Sequence, residues 1–235
     1  MSSLGDKITE IGTGEWKFNE AVADNFEEHI LKSVPQYDEA HNIVTKISDY
    51  FLIDQDTAID IGCSTGSLLR KIAKRHLSKD IKLIGFDNSI SMIRKAKNST
   101  NDPRIKFCQL DGLEFEQKSS LVLSLFTAQF IRPKLRQLYI DNIYRNLDWG
   151  GGFCFFEKVR GSDARFQDVL TSIHWEWKFD NGYTKEEVIN KWSSLKAVME
   201  PFSEKGNIDM LKRAGFCDIE SVWKWGPFQG FLAIK

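Results

Sequence analysis

The chain lacks an excess of either charge, clustered cysteines and long apolar runs, and each lack removes a class of protein. Its 235 residues carry 32 Lys+Arg against 33 Asp+Glu, a formal net charge of -1. Such a balance does not supply the basic field that draws a protein onto nucleic acid, so direct nucleic-acid binding is not expected. The four cysteines, Cys63, Cys108, Cys154 and Cys217, lie far apart with no C-x-x-C pair. That spacing argues against a zinc site or a disulfide framework. They read as reduced thiols, which points to the cytoplasm, and no metal is expected. No stretch approaches the ~20 apolar residues that would cross a bilayer, so no membrane association is expected. Met1 to Glu10 shows no basic stretch followed by an apolar one, the order of a secretory signal. Repeats and low-complexity segments are missing as well. What is present, 42% hydrophobic and 12% aromatic residues, suffices for a folded core.

The first fifty residues set apolar side chains at helical spacing: Phe18, Val22, Phe26 and Ile30, then Ile43, Ile47, Tyr50 and Phe51. Pro35 breaks that run inside a turn from Ser33 to Tyr37. The texture then changes to short strands alternating with helices. Strands are expected over Thr57–Ile61, Ile81–Phe86, Ile105–Gln109, Leu121–Phe126 and Phe153–Glu157. Helices are expected over Ser67–His76, Ile90–Lys97 and Leu135–Leu147, the last stopped by Gly150-Gly151-Gly152. This alternation predicts an α/β protein with a doubly wound, mostly parallel, Rossmann-like sheet. Asp163 to Val198 is helical again, broken at Asp180-Asn181-Gly182, and Met210–Ala214 is a short helix. Ile219–Trp225 and Gly230–Ile234 read as a closing antiparallel hairpin. The expected organisation is a helical arm or lid over residues 1–52 and a ligand-binding domain over 53–235, with a helical insertion at about 160–205 covering the mouth of the sheet.

The stretch Asp60-Ile61-Gly62-Cys63-Ser64-Thr65-Gly66 falls where the first strand gives way to its helix. Glycines there let the backbone turn sharply against a ligand, and the helix start offers unpaired N–H groups. Asp87, ending the second strand, can accept both hydroxyls of a ribose, and Asp111, just after the third, can reach an adenine edge. Each has a plainer counterpart as a turn glycine or helix cap. Three in order at successive strand ends favour a nucleoside-containing cofactor. The spacing is not the G-x-G-x-x-G of dinucleotide sites. An acid ahead of the turn suits the amino group and sulfonium of S-adenosylmethionine (SAM) better than a pyrophosphate. The stretch is similar to the D/E-x-G-x-G-x-G motif of class I methyltransferases, with Ser64 at the middle glycine.

A closer resemblance runs from about Trp16 to Lys235. It is carried in order by Trp16-Lys17-Phe18, Ser33-Val34-Pro35-Gln36-Tyr37, Asp60 to Gly66, Asp87-Asn88-Ser89 with Met92-Ile93, Phe126-Thr127-Ala128-Gln129-Phe130, Glu157-Lys158, Asn181-Gly182-Tyr183 and Ala214-Gly215-Phe216. These segments resemble the carboxy-S-adenosylmethionine synthases, which make a carboxylated sulfonium from SAM and prephenate for tRNA wobble-uridine modification. The resemblance implies a homodimer and places Tyr37, Gly62, Cys63, Ser64, Asp87, Asn88, Asp111 and Gly112 around the cofactor. Asp60, Gly66, Ser89, Met92 and Leu125 extend that candidate set, and Gln129, Tyr183 and Trp192 are candidates for the substrate pocket. Two positions depart from the family pattern. The arginine that holds the product's carboxylate, ten residues after the tyrosine of the Asn-Gly-Tyr element, corresponds to Trp192, with Lys191 beside it. An asparagine at the end of the fourth strand corresponds to Leu125.

An indole in place of a guanidinium turns an anion receptor into an apolar wall, which suits an ordinary methyl sulfonium or an aromatic acceptor. The leading expectation is therefore methyl transfer from SAM to a small-molecule acceptor. Retention of the family reaction, with Lys191 or Arg213 taking over the carboxylate, is the second, and a non-catalytic, dimeric SAM-binding regulator the third. Trp175, Trp177, Trp223 and Trp225 are candidates for an acceptor pocket or for plain core, and Trp223 and Trp225 share one strand face. Glu157 and His174 are the candidate general bases. His29, His41 and His76 lie in surface-like helical patterns, and Arg70, Lys71, Lys74 and Arg75 read as a solvated helix face.

Overall fold

The computed structural model describes residues 12–235. Met1 to Glu10, where no signal pattern was read, lies outside the described residues. Seven strands form one sheet: β1 (Thr57–Ile61), β2 (Lys82–Asp87), β3 (Ile105–Gln109), β4 (Ser119–Leu125), β5 (Leu147–Lys158), β6 (Asp218–Trp225) and β7 (Phe228–Ile234). Their order is β3-β2-β1-β4-β5-β7-β6. The first five are parallel, and β7 runs antiparallel to both β5 and β6. The doubly wound α/β expectation therefore holds, with a switch point where the chain leaves β1 for β2 on one side and β4 lies on the other.

Helices cover both faces. On one side α3 (Tyr37–Ile47), α4 (Ser67–Arg75) and α5 (Ile90–Asn98) bury Val44, Leu69, Ile72 and Ile93 against Leu83 and Leu121. On the other, α6 (Pro133–Asn146) and α9 (Glu204–Ala214) bury Tyr139, Ile143 and Leu211 against Ile59 and Phe153. Fully burying one such side chain contributes ~1.5–3 kcal/mol, so these two layers hold the strand ends in place. Two short helices, α1 (Glu20–Asp24) and α2 (Phe26–Leu31), precede α3 and share a small cluster of Trp16, Val22, Ala23 and Phe26 with Met92 of α5. Val34, Ala40, Val44 and Leu52 belong to the sheet's own core, so the division expected near residue 52 marks a change of texture within continuous packing.

The insertion between β5 and α9 holds α7 (Ala164–Asp180) and α8 (Lys185–Ser194). α7 is inverted relative to an ordinary surface helix. Its two buried residues are His174 and Lys178, whereas Phe166, Val169 and Ile173 face outward.

Three expectations need correction. The Gly150-Gly151-Gly152 stop signal lies inside β5, which starts directly after α6. A Cβ on Gly151 would sit 2.9 Å from the Ser120 carbonyl oxygen, so glycine there permits close strand pairing rather than ending a helix. α9 begins six residues earlier than the short helix expected from Met210, because Ser203 caps it through the Gly206 amide at 3.1 Å. His29, His41 and His76 are all buried. Of the basic run on α4, Arg70 pairs with Glu27 at 2.9 Å, Lys71 with Asp38 at 2.8 Å and Arg75 with Asp49. These partly exposed pairs, worth ~0–1 kcal/mol each, tie α4 to the N-terminal helices.

Candidate active site

At the carboxyl end of β1 the chain turns through three residues with positive φ: Gly62 at 75°, Ser64 at 54° and Gly66 at 77°. The amides of Gly62 and Cys63 both donate to the Phe86 carbonyl, at 2.8 and 2.9 Å. Asp87 locks the turn: its two oxygens accept from the Ser64 and Ser89 amides, each at 2.9 Å. Neighbouring strand ends bring Asn88, Asp111, Gly112 and Leu125 to the same hollow. Tyr37 covers it from the start of α3, its ring 4.2 Å from His41 and 5.9 Å from Phe126.

This hollow fits an adenosyl sulfonium. Asp60 is buried, and among the described residues its carboxylate has no hydrogen-bond or ion-pair partner. Burial, reinforced by the nearby charge of Asp87, pushes its pKa up to about 7. A bound cation would relieve that cost and restore the ionised form. At Gly62 a Cβ would press on Thr127, and at Gly112 on Ile61, so glycine at both positions lets the backbone pack closely against its neighbours at the edge of the hollow. Asp87, close to the turn, keeps lone pairs for a ribose.

The hollow opens into a cavity of about 740 Å³, within the range of small-molecule sites. Its other end is basic. Lys158 at the end of β5, Lys178 and His174 on α7, and Lys191 on α8 line it, along with Gln167, Thr171, His29 and Trp16. The His174 Nε2 donates to the Ser33 carbonyl at 3.2 Å, and burial, with the charges of Lys158 and Lys178, pulls its pKa to about 2. Lys191 Nζ contacts His29 Nε2, donates to Ser33 Oγ at 3.1 Å and lies 4.8 Å above the Trp16 ring. With Nε2 accepting, His29 Nδ1 donates to the Tyr183 hydroxyl at 3.2 Å.

Most of the candidate residues converge on this cavity. Tyr37, Asp60, Gly62, Cys63, Ser64, Asp87, Asn88, Met92, Asp111, Gly112, Leu125, Gln129, His174 and Trp192 all line it. Four do not. Gly66 caps α4 with its Cα hydrogens against Phe107, and Ser89 caps α5 while its hydroxyl donates to the Phe18 carbonyl at 2.7 Å. Tyr183 stands behind the wall, bonded to His29 and Ser33. Glu157 is buried outside the cavity, and its carboxylate accepts from the amides of Thr127, Ala128 and Gln129 at 3.1, 2.8 and 2.8 Å. A carboxylate so engaged anchors a turn and is not placed to take a substrate proton.

Gln129 is likewise committed on both ends of its amide, to the Phe126 carbonyl and the Lys158 amide. Trp192 is half-exposed at the rim, with Lys196 Nζ 4.1 Å above its ring. That exposure excludes a core role for the indole. Arg213 lies on the outer side of α9, bonded to Gln137 at 2.8 Å, away from the cavity. Trp223 packs on Phe156 in the core and Trp225 on Trp177, leaving Trp175 and Trp192 as the insertion's cavity-lining indoles. Sequence reasoning missed Lys158, Lys178 and His29 as site residues. The row Gln167, Thr171, His174, Lys178, spaced at four, three and four, was the available signal.

A methyltransferase-domain family profile matches residues 58–151, the segment that builds the cradle. The human N-acetylserotonin methyltransferase, whose crystal structure is in complex with SAM, superposes with a TM-score of 0.64 at 16% identity, covering 92% of this chain and 56% of that one. Fold and cradle together define a SAM-dependent transferase of the methyltransferase fold. The chain is 39% identical to the carboxy-S-adenosyl-L-methionine synthase of Staphylococcus epidermidis over 94% of its length and 97% of that protein. It is 37% identical to that of Nautilia profundicola, over 94% and 95%. The chain belongs to the carboxy-S-adenosyl-L-methionine synthase family.

Proposed function

We propose that this chain retains the family reaction, forming a carboxylated SAM with prephenate as the carboxyl donor. The observation that carries the reading is Lys191, whose ammonium lies inside the cavity while Trp192 is turned to the rim. Loss of the arginine has therefore not emptied the site of a basic group, although burial beside Lys178 and Lys158 holds Lys191 well below the usual lysine range until an anion arrives. A lysine supplies a point charge without the planar fork of a guanidinium, so it suits one carboxylate held less rigidly.

SAM, when bound, supplies a sulfonium methyl with acidified hydrogens. Asp87 fixes its ribose, Asp60 offsets its cation, and Tyr37 and Phe126 exclude water. Prephenate gives up its carboxyl group and hydroxyl and becomes aromatic as phenylpyruvate. The methyl carbon gains the carboxyl in place of one proton, which leaves with the hydroxyl as water. Lys191 holds the new carboxylate.

A second reading, methyl transfer to a small acceptor, draws support from Leu125, which presents an apolar side chain to the cavity. Mass spectrometry of co-purifying ligand, and of products from SAM with prephenate, separates the two. Carboxylated SAM is expected, and its formation should drop at least tenfold in Lys191→Met. A methylated acceptor with no carboxylated product would overturn the proposal. The same reading includes a homodimer, supported by the outward apolar row of Phe166, Val169 and Ile173, and a cytosolic location, supported by four free thiols.

A further inference from the structure

We propose that Lys158 and Lys178 form a separate anion seat, which takes the carboxylates of a dianionic co-substrate beside the sulfonium cradle. The proposal rests on the family reading for the identity of that co-substrate. Among the described residues neither ammonium has a hydrogen-bond acceptor or a carboxylate partner, although both line the cavity. Lys178 is one of the two buried residues of a helix whose outer face is apolar, so α7 brings a charge inward at the expense of leaving Phe166, Val169 and Ile173 outside. What compensates the charges is weak: the Phe228 ring lies 5.7 Å from Lys158 Nζ, and the Tyr183 ring 6.0 Å from Lys178 Nζ. Such contacts return only ~0.5–2 kcal/mol each, whereas an isolated buried ammonium costs several.

Charge counting gives the ligand class. Lys191 is already engaged by His29 and Ser33, and in the proposed reaction it meets the carboxylate of the product. Of the other cations at the cavity, Arg160 and Lys196 are solvent-exposed, and Lys158 and Lys178 are the two held inside the wall, so a monoanion would leave one of these unmatched and a dicarboxylate matches both. The place is right as well. β1 and β5 are two strands apart in the sheet, ~10 Å, so a small ligand on Lys158 lies next to one held by Asp60. Thr171 and Gln167, about two and three turns before Lys178 on the inner row of α7, add neutral donors. Glu200 also lines the cavity, and among the described residues its carboxylate makes no ion pair with Lys158 or Lys178.

The seat loads by taking up protons. Burial lowers Lys158 to about 8, and burial with the charge of Lys158 lowers Lys178 to about 7. At pH 8 Lys178 is mostly discharged and Lys158 about half so, and an arriving dianion raises both pKa values and draws protons in. Below about pH 6 both are already charged and uptake vanishes. The other ionisable groups facing the pair, His174, Lys191 and His29, are held neutral or lowered by the same burial.

Calorimetry of the full chain saturated with S-adenosylhomocysteine, which has no methyl group to react, titrated with prephenate at pH 8 in HEPES and in Tris, tests this. Expected are proton uptake by the wild type, at least tenfold weaker prephenate binding with less uptake in Lys178→Met, and unchanged SAM affinity. Lys178→Arg should keep prephenate affinity within severalfold. Should Lys178→Met fail to fold, Lys158→Met carries the same expectation. Undiminished prephenate affinity in either folded variant, or binding without proton uptake, overturns the seat. Product analysis is independent of this: prephenate that binds with uptake but yields no carboxylated SAM would refute the proposed reaction and leave the seat standing.

Discussion

Substituting Gly62 by alanine tests whether the cradle is built by close backbone approach. With φ at 75°, an L-residue at this position costs ~1–2 kcal/mol. The new methyl group would also fall against Thr127 Oγ1, 2.6 Å from its Cγ2 and 2.9 Å from its Cβ. Thr127 cannot easily retreat, because its amide donates to Glu157 and its hydroxyl to the Leu125 carbonyl. Overpacking of this kind costs ~1–3 kcal/mol. Together the two effects make ~2–5 kcal/mol, which for a chain of this size lowers the melting temperature by ~4–20 °C. Because Gly62 lines the cavity, SAM affinity should fall at least tenfold, ~1.4 kcal/mol. Thermal melting and calorimetry read the two effects separately. Adding Thr127→Ala removes two of the three contacts and should recover the steric part while leaving the backbone part. A Gly62→Ala protein that melts within ~2 °C of wild type and binds SAM equally well would refute the reasoning.

Asp87→Ala should weaken SAM binding at least tenfold, since each charge-assisted hydrogen bond to a ribose hydroxyl is worth ~1.5–3 kcal/mol and the Ser64 and Ser89 amides also lose their acceptor. Asp87→Asn, which keeps one acceptor, should fall between; equal affinity in all three proteins would remove the ribose assignment. Glu157→Gln sets an amide NH2 against backbone donors and should cost ~1–3 kcal/mol, lowering the melting temperature by ~2–12 °C. A melting temperature unchanged beside a thousandfold loss of turnover would instead make Glu157 a base.

The cradle was legible because its parts follow one another along the chain in the order of the strand ends. Asp60, Gly62, Asp87 and Asp111 need only the α/β alternation to bring them together. The basic wall was not, because Lys158, Lys178 and Lys191 sit on three elements whose facing depends on how the insertion folds back. α7 defeats the usual rule outright. Its apolar residues Phe166, Val169 and Ile173 would be turned inward by periodicity, yet they face outward while His174 and Lys178 are buried. The histidines failed for a related reason: His29, His41 and His76 look solvated among charged neighbours, but each is covered by a segment distant in sequence or by the cavity wall. Glu157 was correctly placed at a strand end and wrongly assigned, since nothing local reveals that three amides of the following turn converge on it.

The strand order would let a near-neutral chain run the proposed reaction between a cation and an anion. Acids end β1 and β2 and follow β3, on one side of the switch point, and the lysines end β5 or descend from the insertion on the other. In the proposed reaction a sulfonium and a dicarboxylate entering one cavity would thereby be sorted to opposite ends, with their reacting atoms brought together between. Binding each would also relieve a cost set by burial, which raises the pKa of Asp60 at one end and lowers those of Lys158 and Lys178 at the other. On this view the indole at position 192 changes how tightly a carboxylate is oriented, not whether the site is charged to receive one. Trp192→Arg should therefore raise affinity for carboxylated SAM only if its side chain turns inward beside Lys191. An arginine that stays at the rim with Lys196 would leave that affinity unchanged and show that the receptor has moved to the lysines.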